Sequence, residues 1–393
     1  MRPLETIAML AAFERRGPGT DSERRAARRL AQELFRAGHR VTTESFWCRP
    51  NWALAHAWHV TLALAGSLLS VGQPTVGAAM LAAALLSVLA DGLTGVSPGR
   101  RLTPERASQN VVAHTSAAED DRHTRLIITA NYDAGRTALV YRDALRRPAA
   151  WVRNTLGPLA LGWLAWLCLA ITWSLAIAVV RAAERHAPHA LNAIQLPPTV
   201  ALVLALAVLL EAAAASHGPA ANDNASGTAV AIALASALNA GAPRNLSIEL
   251  VLQGAGEGQE IGLRKYLRTH RPSRASTIVL GIAPCGDGQV THWLSDGRLI
   301  PLRYARVVSE RLDTGGYRGR GATPALPARI MGLPAIAIGC LDRQGLPPRS
   351  HQATDVATAI DQAALDRTTE FALRLVDEIS AAVAPADAPA TRA

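Results

Sequence analysis

Lysine is almost missing from this chain. Lys265 is the only one in 393 residues, and arginine supplies nearly all of the basic side of a formal net charge of +9. Cysteine is scarce too. Cys48, Cys168, Cys285 and Cys340 are scattered with no CxxC spacing, which argues against a disulfide framework and against a cysteine zinc site. Aromatic residues are only 4% of the chain, and no RNA- or DNA-binding motif accompanies the basic excess, so no nucleic-acid partner is expected. The N-terminus, MRPLETIAMLAAFERRGPG, lacks a long apolar core followed by a cleavage site, so no secretory leader is expected.

Apolar residues are in excess: 49% of the chain, with a mean hydropathy of +0.13. That is high for a soluble enzyme and low for a pure transporter. Four segments approach the roughly 20 residues a helix needs to cross a bilayer core. They are 52–72, 74–95, 155–180 and 196–216. The third carries no charge, the first is interrupted by His56 and His59, and the fourth holds Glu211 near its end. The two histidines are read as interfacial or bundle-facing rather than as metal ligands. The segments form two pairs, each leaving the polar chain and returning to the same side. Arginine gathers on the polar flanks: Arg36, Arg40, Arg49, Arg100, Arg101, Arg106, Arg142, Arg146, Arg147 and Arg153. The tip at Gln73 and Pro74 is uncharged, and the second tip sets Arg181 and Arg185 against Glu184. Positive residues stay inside. A multi-pass, four-helix integral membrane protein with its polar part on the cytoplasmic side is therefore expected, with the lipid bilayer as one partner.

With the hairpins removed, the polar chain alternates between strand and helix patterns. Residues 20–41 read as an amphipathic helix stopped at Gly38. Runs 109–115, 125–133, 246–254, 277–283 and 334–340 read as strands. Helices are expected over 226–241, 258–270, 301–312 and 360–383, then a disordered tail at 385–393. The fold class is α/β: a mostly parallel, mixed sheet flanked by helices, carrying two inserted transmembrane hairpins. Chemistry in such sheets collects at the carboxyl ends of the strands. Asn131, Asp133, Asp223, Glu257, Cys285, Asp287 and His351 all fall there. An Asp, a Glu and a His from separate strand ends make an oxygen and nitrogen set suited to zinc.

The order NYD, NDNASGTA, GAGE followed by GLRKYL, and SHQATD resembles the co-catalytic di-zinc aminopeptidases, family twenty-eight of the metallopeptidases in clan MH. The resemblance covers residues 10–50, 100–150 and 218–383 and implies a zinc-exopeptidase-like fold. It divides the chain into a discontinuous aminopeptidase-like domain (1–50, 97–150 and 217–384) and hairpins at 51–96 and 151–216. It also implies roles. Asp223 is the bridging ligand, held with the help of Asn224. Glu257 and His351 complete one site, with Asp133 and Asp355 in support. Asn131 stands where the family has a histidine, Ala283 where it has an aspartate, and Gly256 where it has the general base. The implied cofactor is one zinc ion or none, because the ligands exclusive to the second site are gone. Losing the base forfeits about 10²–10⁴-fold in rate. The resemblance thus implies a membrane-anchored aminopeptidase-like protein with a degenerate site, non-catalytic or weakly active and free to bind a peptide or protein ligand. The alternatives are a single-zinc hydrolase of peptide or other amide bonds and, further off, a transporter-like protein using Glu211 and Asp91. Cys285 and Asp287 are weighed as substitute ligands and Glu260 as a substitute base. Their plainer readings are a small buried thiol, a turn residue and a surface helix charge.

Overall fold

The computed structural model describes residues 2–114, 124–184, 190–241, 243–305 and 315–383. Its strands are β1 (Arg40–Cys48), β2 (Arg106–His114), β3 (Thr124–Asn131), β4 (Leu246–Gln253), β5 (Thr277–Ile282), β6 (Gln289–Asp296), β7 (Leu302–Arg303), β8 (Gly316–Arg318) and β9 (Ala335–Leu341). They form one sheet in the order β1-β2-β4-β3-β5-β9-β6-β7, with β8 beside β6. The expectation of a mostly parallel sheet holds at its centre and where the short β8 runs beside β6. The β4-β3, β3-β5 and β5-β9 pairs are parallel, whereas β1-β2, β2-β4, β6-β9 and β6-β7 are antiparallel. The strands β1 and β6 lay outside the sequence expectation. Both interrupt their apolar residues with polar ones, as RVTTESFWC and QVTHWLSD, rather than reading as continuous apolar runs.

Both faces of the central strands are buried, so their side chains feed two cores by simple alternation. On β3, Leu126, Ile128 and Ala130 join one core while Ile127 joins the other. The first core is closed by α1 (Pro3–Ala11), α2 (Asp21–Arg36), α9 (Gly227–Gly241) and α12 (Gln362–Val383). The second is closed by α10 (Ile261–His270) and α11 (Leu326–Ile330). The hydroxyl of Thr20 caps α2 by accepting from the Glu23 N–H, the expected Thr/Asp/Ser start. The helix expected from residue 258 begins at Ile261, because Gln259 and Glu260 both take positive φ. The helix expected over 301–312 is corrected in its first part: Leu302 pairs with Asp296 in the sheet. Its remainder, 306–314, and the tail at 385–393 lie outside the described residues.

Among the described residues, four helices are long and apolar enough to cross a membrane: α3 (Trp52–Leu69), α4 (Pro74–Thr94), α7 (Trp163–Ala183) and α8 (Ala190–Ala214). The third expected segment starts later than its hydropathy implied. The amphipathic α6 (Asp143–Leu156) and a Gly157–Leu159 turn take its first residues. The four pack as a bundle, α4 against α7 and α3 against α8, around Val60, Leu81, Val88, Ile171 and Leu202.

His56 and His59 face the bundle interior, as expected, and belong to a buried polar network. Asp91 accepts two hydrogen bonds from Arg100, at 2.7 and 2.8 Å, and one from Ser97 at 2.9 Å. His56 Nε2 lies 3.4 Å from Asp91 and 3.3 Å from Gln259 Nε2. Arg100 also donates to Gln259 at 2.9 Å. Glu211 accepts the Leu139 N–H where α8 meets the α/β layer. Asp91 and Glu211 therefore satisfy local partners at the layer-facing ends of their helices.

Candidate metal centre

Parallel pairing puts the carboxyl ends of β3, β4 and β5 side by side, with Asn131 opposite Gln253. Around that edge the chain gathers Asp223, Glu257 and His351. One ligating atom from each lies within 4.8 Å of the others, with Asp223 buried and Glu257 and His351 half-buried. His351 Nε2 is 3.3 Å from Glu257 Oε2 and 3.6 Å from Asp223 Oδ2. Ligand bonds of about 2.0–2.2 Å in a tetrahedral site put donor atoms about 3.3–3.6 Å apart. The donor set therefore fits zinc by chemistry and by spacing.

Each ligand is held from behind. Asp355 accepts the N–H groups of Asn222 and Asp223 at 2.6 and 2.9 Å. The peptide bond between Asp223 and Asn224 is cis. Ser350 donates to Asp223 Oδ2, and Asn224 donates to Glu257 Oε1. Asp133 accepts the N–H groups of Gly256 and Glu257 at 3.1 and 2.9 Å. His351 sits at φ 57°, a conformation that disfavours a side chain and clusters at functional sites. Its Nδ1 lies 3.1 Å from the Arg136 carbonyl, and the Tyr141 ring stacks on it at 4.2 Å. Gly135 makes room: a Cβ there would come within 2.2 Å of the imidazole.

The electrostatics ask for a cation. Burial pushes Glu257 up, and burial with repulsion from Glu257 pushes Asp133 well up. Burial works against the His351 imidazolium, but the Glu257 and Asp223 carboxylates outweigh it and raise its pKa. In the metal-free protein that imidazolium balances the carboxylates.

The second metal position is different. Ala283 is buried and offers no donor. Cys285 lies in the first hydrophobic core, its thiol pushed well up by burial, and Asp287 turns to an ion pair with Arg349 at 2.7 Å. Neither joins the acidic cluster. Asn131 leans over Gly256 instead: a Cβ on Gly256 would sit 2.3 Å from the Asn131 Cγ. Its amide donates to Glu260 Oε1 at 3.1 Å. Glu260 is thus no surface helix charge. It is 4% exposed, and burial pushes its carboxyl up to about 8. Its Oε2 and the Asn131 Oδ1 are buried without a hydrogen-bond partner. Both residues line a cavity of about 360 Å³ that also holds Asp223, Glu257 and His351.

Sequence reasoning passed over several supporting residues. Arg16 is fully buried and donates to the carbonyls of Tyr132, at 2.6 Å, and Ala220, at 3.2 Å, tying together two of the site's loops. Glu23 accepts the Ala255 N–H at 2.8 Å and fixes a third. A GPGT turn after Arg16 and an E three places beyond the cap were the available signals.

No family model matches the chain, and no curated protein matches it by sequence. Solved structures do. The chain is similar to an aminopeptidase from Aneurinibacillus sp. strain AM-1, at TM-score 0.55 and 14% identity over 98% of this chain and 93% of that one. It is similar to a zinc aminopeptidase from Bacillus subtilis, at TM-score 0.53 and 13% identity over 96% and 94%. A glutaminyl cyclase from Bacteroides thetaiotaomicron matches at TM-score 0.51 and 13% identity, over 95% and 96%. The chain therefore has the fold of the zinc aminopeptidases and glutaminyl cyclases, with three residues at the carboxyl edge of its sheet that could hold a metal ion.

Proposed function

We propose that this chain is a membrane-anchored, single-zinc hydrolase of amide bonds. The observation that carries the reading is the buried Glu260 carboxyl, which keeps one oxygen without a hydrogen-bond partner and lines the cavity that holds Asp223, Glu257 and His351. Zinc, when bound by these three residues, supplies a Lewis acid that acidifies water and polarises a carbonyl. Glu260 takes the family base's task from a different sequence position. It accepts a proton from water and returns it to the leaving amine. Asn131 positions that carboxyl by its hydrogen bond. Asp133 and Asp355 fix the loops that present Glu257 and Asp223. The solved neighbours include both exopeptidases and glutaminyl cyclases, so one such fold carries more than one reaction at a carbonyl.

The test uses purified, zinc-loaded chain and a panel of amino-acid anilides and N-acyl amides. Glu260→Gln is expected to lower kcat by about 10²–10⁴-fold with zinc content unchanged. Asp223→Ala is expected to lose both zinc and turnover. Absence of turnover in the natural chain would favour a second reading, a non-catalytic module that binds a peptide or protein. The observation behind that reading is the donorless Ala283. The anchoring reading places α3, α4, α7 and α8 in the bilayer, with the α/β part on the cytoplasmic side. It rests on their length and hydropathy and on the arginine-rich flanks. A C-terminal reporter active only outside the cytoplasm would overturn it.

A further inference from the structure

The metal cavity is not the end of the space around it. A second cavity of about 370 Å³ lies between α7 and α8. Ala201, Ala205, Val208 and Ala212 line it from α8, and Trp166 and Ala170 from α7. The α8 positions follow helical spacing, so they share one face. Three of them are alanine, and these small side chains make the groove. From Ala201 to Ala212 the helix rises about 16 Å, close to half of a bilayer's roughly 30 Å hydrocarbon core. Trp166 is 52% exposed and Val208 46%, so the groove opens sideways, toward lipid in a membrane-inserted chain.

Its inner end meets the metal cavity. Trp52, Tyr141 and Trp163 line both spaces. Tyr141 is the ring stacked on His351, and Trp52 and Trp163 lie 5.3 Å apart beside it. A polar, carboxylate-bearing site therefore continues into an apolar cleft one leaflet deep. The molecule that matches both parts has a carbonyl at one end and a long aliphatic chain at the other.

We propose that the substrate is a long-chain N-acyl amide taken laterally from the bilayer, with its acyl chain in the α7–α8 cleft and its amide at the metal centre. This rests on the hydrolase reading above and adds the substrate class to it. The water oxygen bonds to the acyl carbon and the C–N bond breaks. A fatty carboxylate and an amine leave, the amine carrying the proton that water gave up. No oxidant or other co-reactant is required. The gain over a short amide comes from delivery and alignment, since a chain already in lipid gains little by moving into protein.

The test is photolabelling of the full chain in lipid nanodiscs by N-dodecanoyl-glycinamide with a diazirine at the chain's far end. Labels are expected on the cleft-facing residues of α7 and α8. Excess unlabelled N-dodecanoyl-glycinamide should compete them away, and N-acetyl-glycinamide should not. Ala205→Phe, and independently Ala201→Phe at a lipid-facing position, should cut labelling by about tenfold or more, since overfilling costs 1–3 kcal/mol. Zinc content serves as the control for folding. Labels spread evenly over the outer faces of the four helices, or undiminished in both variants, would overturn the proposal. Asp223→Ala is expected to keep the labelling. Missing zinc or turnover in the natural chain would thus count against the hydrolase reading alone.

Discussion

At the scale of single residues, the site is a set of substitutions that fit one another. Asn131 occupies the space above Gly256, and a side chain on Gly256 would collide with it. Asn131 also holds Glu260. Its consequences can be read in the metal-free protein. Burial raises the native Glu260 carboxyl to about 8, from an ordinary 4.5. The folded chain then keeps a proton that the unfolded chain has released, so stability falls as pH rises between those values. The size is on the order of 3–5 kcal/mol. Glu260→Gln should flatten this slope: in EDTA, its melting temperature should drop less from pH 5 to pH 9 than that of the natural chain. Parallel slopes would mean that Glu260 stays ionised. Gly135 gives a second test. Its Cβ would meet the His351 ring at 2.2 Å, so Gly135→Ala should weaken zinc binding by about tenfold or more, measured by chelator competition. Asp223, Glu257 and His351 were legible in the sequence because each stands in a motif at a strand end. The positions of Asn131 and Glu260 were not, because a contact between residues 129 apart depends on the left-handed turn at Gln259 and Glu260.

At the scale of elements, the loop after β4 joins the two halves of the molecule. It carries Glu257 and Glu260 on one side, and on the other Gln259 meets Arg100 and His56 of the first hairpin. Arg100 and Asp91 are both buried. Removing one partner of a buried ion pair typically costs about 3–5 kcal/mol, because the other charge is left stranded. Arg100→Met should therefore lower thermal stability by that order, and Asp91→Asn with Arg100→Met should recover much of it. A loss in the double variant equal to the sum of the two single-variant losses would mean that the pair carries no coupling. The strands β3, β4, β5 and β9 could be read from their β-branched and apolar runs, because both faces are covered. The edge strand β1 and the internal strand β6 escaped, since both are rich in polar residues and break the apolar run that betrays a strand. Likewise, hydropathy alone merged α7 with the last two residues of α6 and the turn after them, because residues 155–162 carry no charge and the break lies in the backbone.

At the scale of the whole molecule, a zinc-exopeptidase-like sheet carries two apolar hairpins that come back to the edge where the metal ligands stand. Trp52 opens α3, Trp163 opens α7, and Ala212 closes α8, all within the lining of the site's cavities. Only eight residues separate the end of α8 from Asp223. The apolar helices and the candidate site are therefore built against one another. The central claim is that this edge holds one zinc ion and not two. Its most direct test is zinc per chain on purified, detergent-solubilised protein, with Asp223→Ala beside it. One zinc per chain, lost in the variant, is the result expected from Asp223, Glu257 and His351 acting alone. Two per chain would contradict it, and would require Asn131 or a residue outside this set to complete a second site.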